Sequence, residues 1–178
     1  RRENPQAVLG VFEQRLVPPA AIRPAAEDVL VALEAVRDPG NLGTILRSAQ
    51  AASVDAVILS QGCVDAYAPK VVRAGMGAHF SLPLYVGVGW PRIAALARDR
   101  QCVLAEATGE CYPWQLDWTL PCALIVGSEG HGAGAEARAL ATHTVRLPMR
   151  PPVESLNAAT ATAQLLYEVQ RQRLAVPS

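Results

Sequence analysis

The sequence predicts an α/β domain with a mostly parallel sheet flanked by helices, and three observations carry that prediction. Short β-branched runs alternate with longer, alanine-rich stretches at helical spacing. Glycine, proline and polar residues gather at 38–43, 127–134 and 148–157, each time after a strand-like run and before a helical one. The 178 residues are 51% hydrophobic and only 18% charged, enough apolar material for one core and too little charge for a disordered chain.

The elements follow in order. Candidate strands are Ala7 to Phe12, Val29 to Leu33, Ala56 to Leu59, Leu84 to Val86, Cys102 to Ala105, Ala123 to Val126 and Thr144 to Leu147. Candidate helices are Leu42 to Ala52, Pro69 to Gly75, Pro91 to Arg100, Ala135 to Ala141 and about Asn157 to Arg173. In the first helix Leu42, Ile45, Leu46 and Ala49 form a stripe that can lie on a sheet, which puts Gly43 and Arg47 together on another face. Residues 13 to 28, with Pro18, Pro19 and Pro24, read as an arm or linker leading to the domain at 29–178. The chain begins at Arg1 without methionine, and residues 1–28 as a whole read as either an N-terminal arm or the remnant of a linker to an upstream domain.

Sixteen basic residues balance sixteen acidic ones, which excludes a protein that grips nucleic acid through overall charge. Any such site is local; fifteen of the basic residues are arginine, and Lys70 is the only lysine. Cys63, Cys102, Cys111 and Cys122 have no C-x-x-C spacing and read as reduced core residues. The apolar runs are strand-sized, so no membrane span is expected and a cytoplasmic protein is. His79, His131 and His143 lack metal-ligand spacing, so no metal is expected, and Gly127-Ser128-Glu129-Gly130 is one residue short of a hydrolase elbow.

Three loops remain. In parallel sheets such strand-to-helix turns gather at the carboxyl ends of the strands, where ligands bind. The first, Asp38 to Arg47, reads as a turn capped by Asn41 with Arg47 as a solvated helix residue. The second, Val126 to Gly134, is rich in glycines that let backbone amides approach a ligand, but it is neither a dinucleotide fingerprint nor a P-loop. Its Glu129 is equally a helix-start acid or a functional group. The third, Leu147 to Asn157, is stiffened by Pro148, Pro151 and Pro152, with Ser155 or Asn157 capping the last helix. The Ala/Thr run after Asn157 implies close helix packing, within the fold or across a dimer.

In this order and at these intervals the loops resemble the three motifs of the SpoU (TrmH) family of RNA 2′-O-ribose methyltransferases, in the SPOUT superfamily. The matching residues are Asn41-x-Gly43-x-x-x-Arg47, Gly127-x-Glu129-Gly130-x-Gly132, and Leu147-Pro148-Met149 with Glu154-Ser155-Leu156-Asn157. Residues 69–78 are similar to the stretch between the first two motifs, so the resemblance spans about 29 to 173. Ser128, where the family often has asparagine, departs from the pattern.

The resemblance implies a C-terminal deep trefoil knot, a homodimer and an RNA substrate, ribosomal or transfer. It also implies S-adenosylmethionine held on the main chain around Gly127, Leu147, Pro148, Ser155 and Leu156. The implied reaction moves the sulfonium methyl to a ribose 2′-hydroxyl, with Arg47 as either assisted base or electrostatic positioner. Asn41, Glu129, Ser155 and Asn157 would orient the arginine, the ribose or the loops. Small-residue faces at Ala49 to Ala52 and Ala158 to Ala163 suit the dimer contact. An inactive RNA-binding or ribosome-assembly protein of the same fold is the alternative reading, and a dinucleotide-dependent oxidoreductase is disfavoured by the missing fingerprint.

Overall fold

The computed structural model describes residues 10–14, 18, 21, 23, 25, 29–128, 130 and 132–175. Six parallel strands form one sheet: β1 (Val29–Leu33), β2 (Ala56–Ser60), β3 (Leu84–Val88), β4 (Gln101–Ala105), β5 (Cys122–Val126) and β6 (His143–Val145), in the spatial order β3-β2-β1-β5-β4-β6. The chain steps outward from β1 to β3, crosses back to β4, returns inward to β5 beside β1, and ends at the far edge with β6. The topological switch therefore falls between β1 and β5, whose residues pair from Val29 with Cys122 to Leu33 with Val126.

Both faces are covered. On one, Val29, Val31 and Leu33 pack beneath α1 (Pro39–Ala51), α2 (Pro69–Ala74) and α5 (Ala158–Leu174), with Leu42, Ile45, Leu46, Leu165 and Leu166 in the same core. On the other, Leu30, Ala32 and Ile125 meet Ile93 and Leu96 of α3 (Trp90–Ala97) and Ala137 of α4 (Ala135–Leu140). Burial on both faces explains why β1, β5 and β2 as far as Leu59 are apolar instead of alternating, with the buried Ser60 closing β2.

The expected helices all form, with local differences. Asp38, not Asn41, caps α1: its carboxylate accepts from the Asn41 amide at 2.8 Å and Pro39 takes the first helical position. Gly43 is buried against α2, where a Cβ would meet the Ala74 methyl and lie 2.8 Å from the Val71 carbonyl oxygen. α3 ends at Ala97, short of Arg100, because the Arg100 guanidinium turns back to the Leu96 carbonyl at 2.8 Å. Asn157 caps α5 through its Oδ1, which accepts from Ala159 and Thr160. α1 and α5 pack on each other within one chain, and Ala49 of the first and Ala159 and Thr162 of the second are buried. Of the candidate strand Ala7 to Phe12, residues 7–9 lie outside the described residues and Gly10 to Phe12 form no regular structure.

β6 stops at Val145 because its backbone is engaged from two sides. Ala105 of β4 pairs with Val145, and so does Cys111 beyond the intervening loop. Glu106 N donates to Val145 O at 2.9 Å, and Arg146 N turns to Cys111 O at 2.9 Å. Gly109 sits against the backbone of Val145 and Arg146, where a Cβ would collide with main chain.

Candidate functional site

A cavity of about 830 Å³ opens at the carboxyl edge, at the switch between β1 and β5. Asp38 and Asn41 contribute from the loop after β1, and Gly127, Ser128, Gly130 and Gly132 from the loop after β5. Ala105 to Thr108 close the side toward β4, and Leu147, Met149, Ser155, Leu156 and Asn157 come from the last loop. Ala158, Ala161 and Leu165 of α5 add an apolar wall.

Hydrogen bonds across long stretches of sequence fix these loops relative to one another. Asn157 Nδ2 donates to Asn41 Oδ1 at 2.8 Å, joining the first and third loops, while the other end of the same amide caps α5. Glu34, just past β1, accepts from Gly134 N at 2.8 Å and so anchors the second loop where it enters α4. That loop closes on itself through Ser128 N to Gly132 O at 2.9 Å and the reciprocal bond at 3.1 Å. Gly127 has no room for a side chain, since a Cβ would lie 2.6 Å from Ala133 N. Glu106 and Arg138 form an ion pair of 2.6 Å in the cavity wall.

The last loop offers its own main chain. Among the described residues, no hydrogen bond engages the backbone of Leu147, Met149, Ser155 or Leu156, yet all four line the cavity. Buried or half-buried peptide groups seek partners, so this wall suits a ligand that presents donors and acceptors to backbone, as a purine or an amino-acid moiety does. The residues present therefore fit an adenosine-type cofactor.

Of the expected site residues, Asn41, Gly127, Leu147, Ser155, Leu156 and Asn157 line this one cavity. Pro148 is exposed and does not line it, and Glu129 lies outside the described residues. Arg47 is exposed on α1, outside the cavity wall, six residues after Asn41 and so about 9 Å further along the helix axis. Its side chain leans back over the turn at Gly43 and Thr44, on a face turned about 120° from Asn41. Glu34, Asp38, Glu106 and Arg138 were missed. The Asp-Pro pair at 38–39 is a helix-start signal that reveals Asp38, whereas nothing local marks the other three.

The cysteines take no part in this chemistry. All four are free, and burial pushes the Cys63, Cys102 and Cys122 thiols up, Cys122 to about 11. Among the described residues no group of histidine, cysteine or carboxylate side chains could hold a metal, and no helix is long and apolar enough to cross a membrane.

The profile of the SpoU rRNA Methylase family matches residues 28–167. The chain belongs to that family. Among similar proteins, mouse mitochondrial rRNA methyltransferase 3 is 33% identical over 95% of this chain and 53% of its own length. The Streptomyces viridochromogenes 23S rRNA (uridine(2479)-2′-O)-methyltransferase is 35% identical over 98% of this chain and 63% of its own. An AdoMet-bound rRNA methyltransferase from Sinorhizobium meliloti superposes with a TM-score of 0.87 at 36% identity, covering 96% of this SpoU-family chain and 66% of that structure. The chain spans about half the length of several curated relatives it matches.

Proposed function

We propose that this chain is the catalytic domain of an S-adenosylmethionine-dependent methyltransferase acting on a ribose 2′-hydroxyl of ribosomal or transfer RNA. The observation that carries the reading is the cavity at the β1/β5 switch, walled by backbone that makes no hydrogen bond within the protein, from the same loops that hold the family's motifs. S-adenosylmethionine, when bound, supplies an electrophilic methyl on a good leaving group. What the protein must add is position, and removal of the hydroxyl proton.

Main-chain groups around Gly127, Leu147, Ser155 and Leu156 hold the cofactor in this reading, with Pro148, outside the cavity wall, fixing the path of the loop. Arg47, exposed on α1, fixes the ribose or its adjacent phosphate and assists deprotonation in this reading. Asn41 and Asn157 act as a pair that locks the two loops, and Glu129 orients the second. Release of the proton falls to the arginine–phosphate arrangement or to solvent.

Three further proposals accompany this one. The 106–111 segment, engaged with β6 on the side opposite β4, supports a trefoil knot through which the last loop passes. A homodimer would use the strip left exposed beside the α1–α5 contact, including Ala51, Thr160 and Tyr167. An RNA-gripping region belongs to the part of the relatives' length that this chain does not span, with residues 1–28 as its connection, and the protein works in the cytoplasm.

Calorimetry with S-adenosylmethionine and S-adenosylhomocysteine, followed by transfer of labelled methyl to RNA from cells lacking the protein, tests the reading. The expected result is binding of both ligands and label in alkali-resistant dinucleotides. Binding of NADH alone rejects it, and cofactor binding with no methyl transfer from the full-length protein favours the inactive assembly factor.

A further inference from the structure

Outside the cavity, the structure holds a three-layer stack. The Arg146 guanidinium lies 4.6 Å over the Tyr112 ring, and Tyr112 stacks on Trp114 at 4.9 Å with planes 8° apart. Trp114 nevertheless remains 58% exposed. A large indole left open to water at the end of a parallel stack presents a flat π surface.

The stack is rigidly mounted. Tyr112 N donates to Gln115 Oε1 at 2.7 Å and Gln115 N returns to Tyr112 O at 2.9 Å, closing a short 3₁₀ turn over Pro113–Gln115. The fully buried Trp118 donates through Nε1 to Pro113 O at 2.7 Å, and Gln172 and Arg173 of α5 bond the carbonyls of Leu116 and Trp118. Arg146 is fixed by the Gly109 and Glu110 carbonyls. The platform also adjoins the cavity: Arg146 stands between Val145 and Leu147, and Gly109 follows Thr108, all three neighbours being wall residues.

We infer that Trp114 is a stacking platform for an unpaired nucleobase of the substrate RNA flanking the target nucleotide. The inference rests on the RNA-methyltransferase reading. Every base offers a π face, and sequence-tolerant recognition of single-stranded RNA uses such surfaces. Glu110 and Asp117 are exposed beside the stack, so attraction to phosphate is not what this corner supplies. Stacking is. Arg146 closes the far side of the stack, and its nearness to the cavity rim sets the separation between the stacked base and the reacting ribose.

The test uses the intact chain, a single-stranded RNA octamer, and the same octamer with abasic positions. The octamer should quench tryptophan emission in the wild type and not in Trp114→Phe, since Trp118 is buried and Trp90 is half-buried in the core on the opposite face of the sheet. Trp114→Ala should weaken octamer binding about tenfold, Trp114→Phe less, and the slope of log affinity against log salt should not change. The abasic octamer should bind wild type and Trp114→Ala alike. Equal affinity of wild type and Trp114→Ala for the octamer overturns the inference, as does absence of quenching at saturating octamer. A doubling of mass by light scattering that Trp114→Ala abolishes also overturns it, assigning the surface to a second copy. Cofactor calorimetry on the same variants keeps the two readings apart, because loss of S-adenosylmethionine binding by the wild type would defeat the methyltransferase reading and leave the quenching result standing.

Discussion

The side-chain amide of Asn157 donates to that of Asn41 across 116 residues of sequence, at 2.8 Å, while its own oxygen caps the last helix. One residue thus starts α5 and ties the loop before it to α1. Replacing Asn157 with alanine removes both functions and should cost about 1–2 kcal/mol in urea unfolding, the upper part of the range for a lost helix cap. Asn41→Ala should cost less. The double variant should be less destabilised than the sum by about 0.5 kcal/mol or more, and strict additivity would mean that the link carries no energy.

Arg47 separates catalysis from folding. It is exposed and lies outside the cavity wall, so Arg47→Ala should change stability by no more than about 0.5 kcal/mol and leave cofactor affinity unchanged. Methyl transfer to RNA should fall by two orders of magnitude or more, with little rescue by lysine, which lacks the planar fork. Near-normal turnover of the alanine variant would remove Arg47 from the mechanism.

Gly43 tests packing. A methyl group there would press on Ala74 and on the Val71 carbonyl, both on a neighbouring helix. Gly43→Ala should therefore destabilise by about 1–3 kcal/mol despite the better helix propensity of alanine. An unchanged or raised melting temperature would show that α1 and α2 separate freely.

Cys122 sets an alkaline limit. Burial raises its thiol to about 11 from an ordinary 9.0, so the folded state favours the protonated form. Stability from this group is complete below pH 9 and is lost as pH rises from 9 toward 11, by about 2–3 kcal/mol. Urea midpoints measured from pH 8 to 11 should fall less steeply for Cys122→Ala than for the wild type, even though the variant starts from a lower stability.

Much of the fold is legible in the sequence because β1, β2 and β5 are buried on both faces and read as plain apolar runs. Errors fall where a distant partner overrides local pattern. β6 was expected to run to Leu147, but Arg146 leaves its ladder for Cys111. The small faces of α1 and α5 implied close packing without saying whether the partner was the same chain or another, and α1 and α5 pack on each other within one. In the site, Asn41 and Asn157 stand out by loop position, but no pattern announces that they touch. The Glu106–Arg138 pair is equally silent, since it joins residues on two elements by geometry alone.

The double engagement of Val145 also dictates an order of assembly. Both segments that grip it, Ala105 and Cys111, leave the ribosome more than thirty residues before it does. The slot can exist while its occupant is still being made. The last loop and α5, which supply the cavity's backbone wall and brace Trp118, arrive later still. A nascent chain can thus have most of the sheet and yet no pocket, and ligand-binding competence appears only once residues 147–174 have been made.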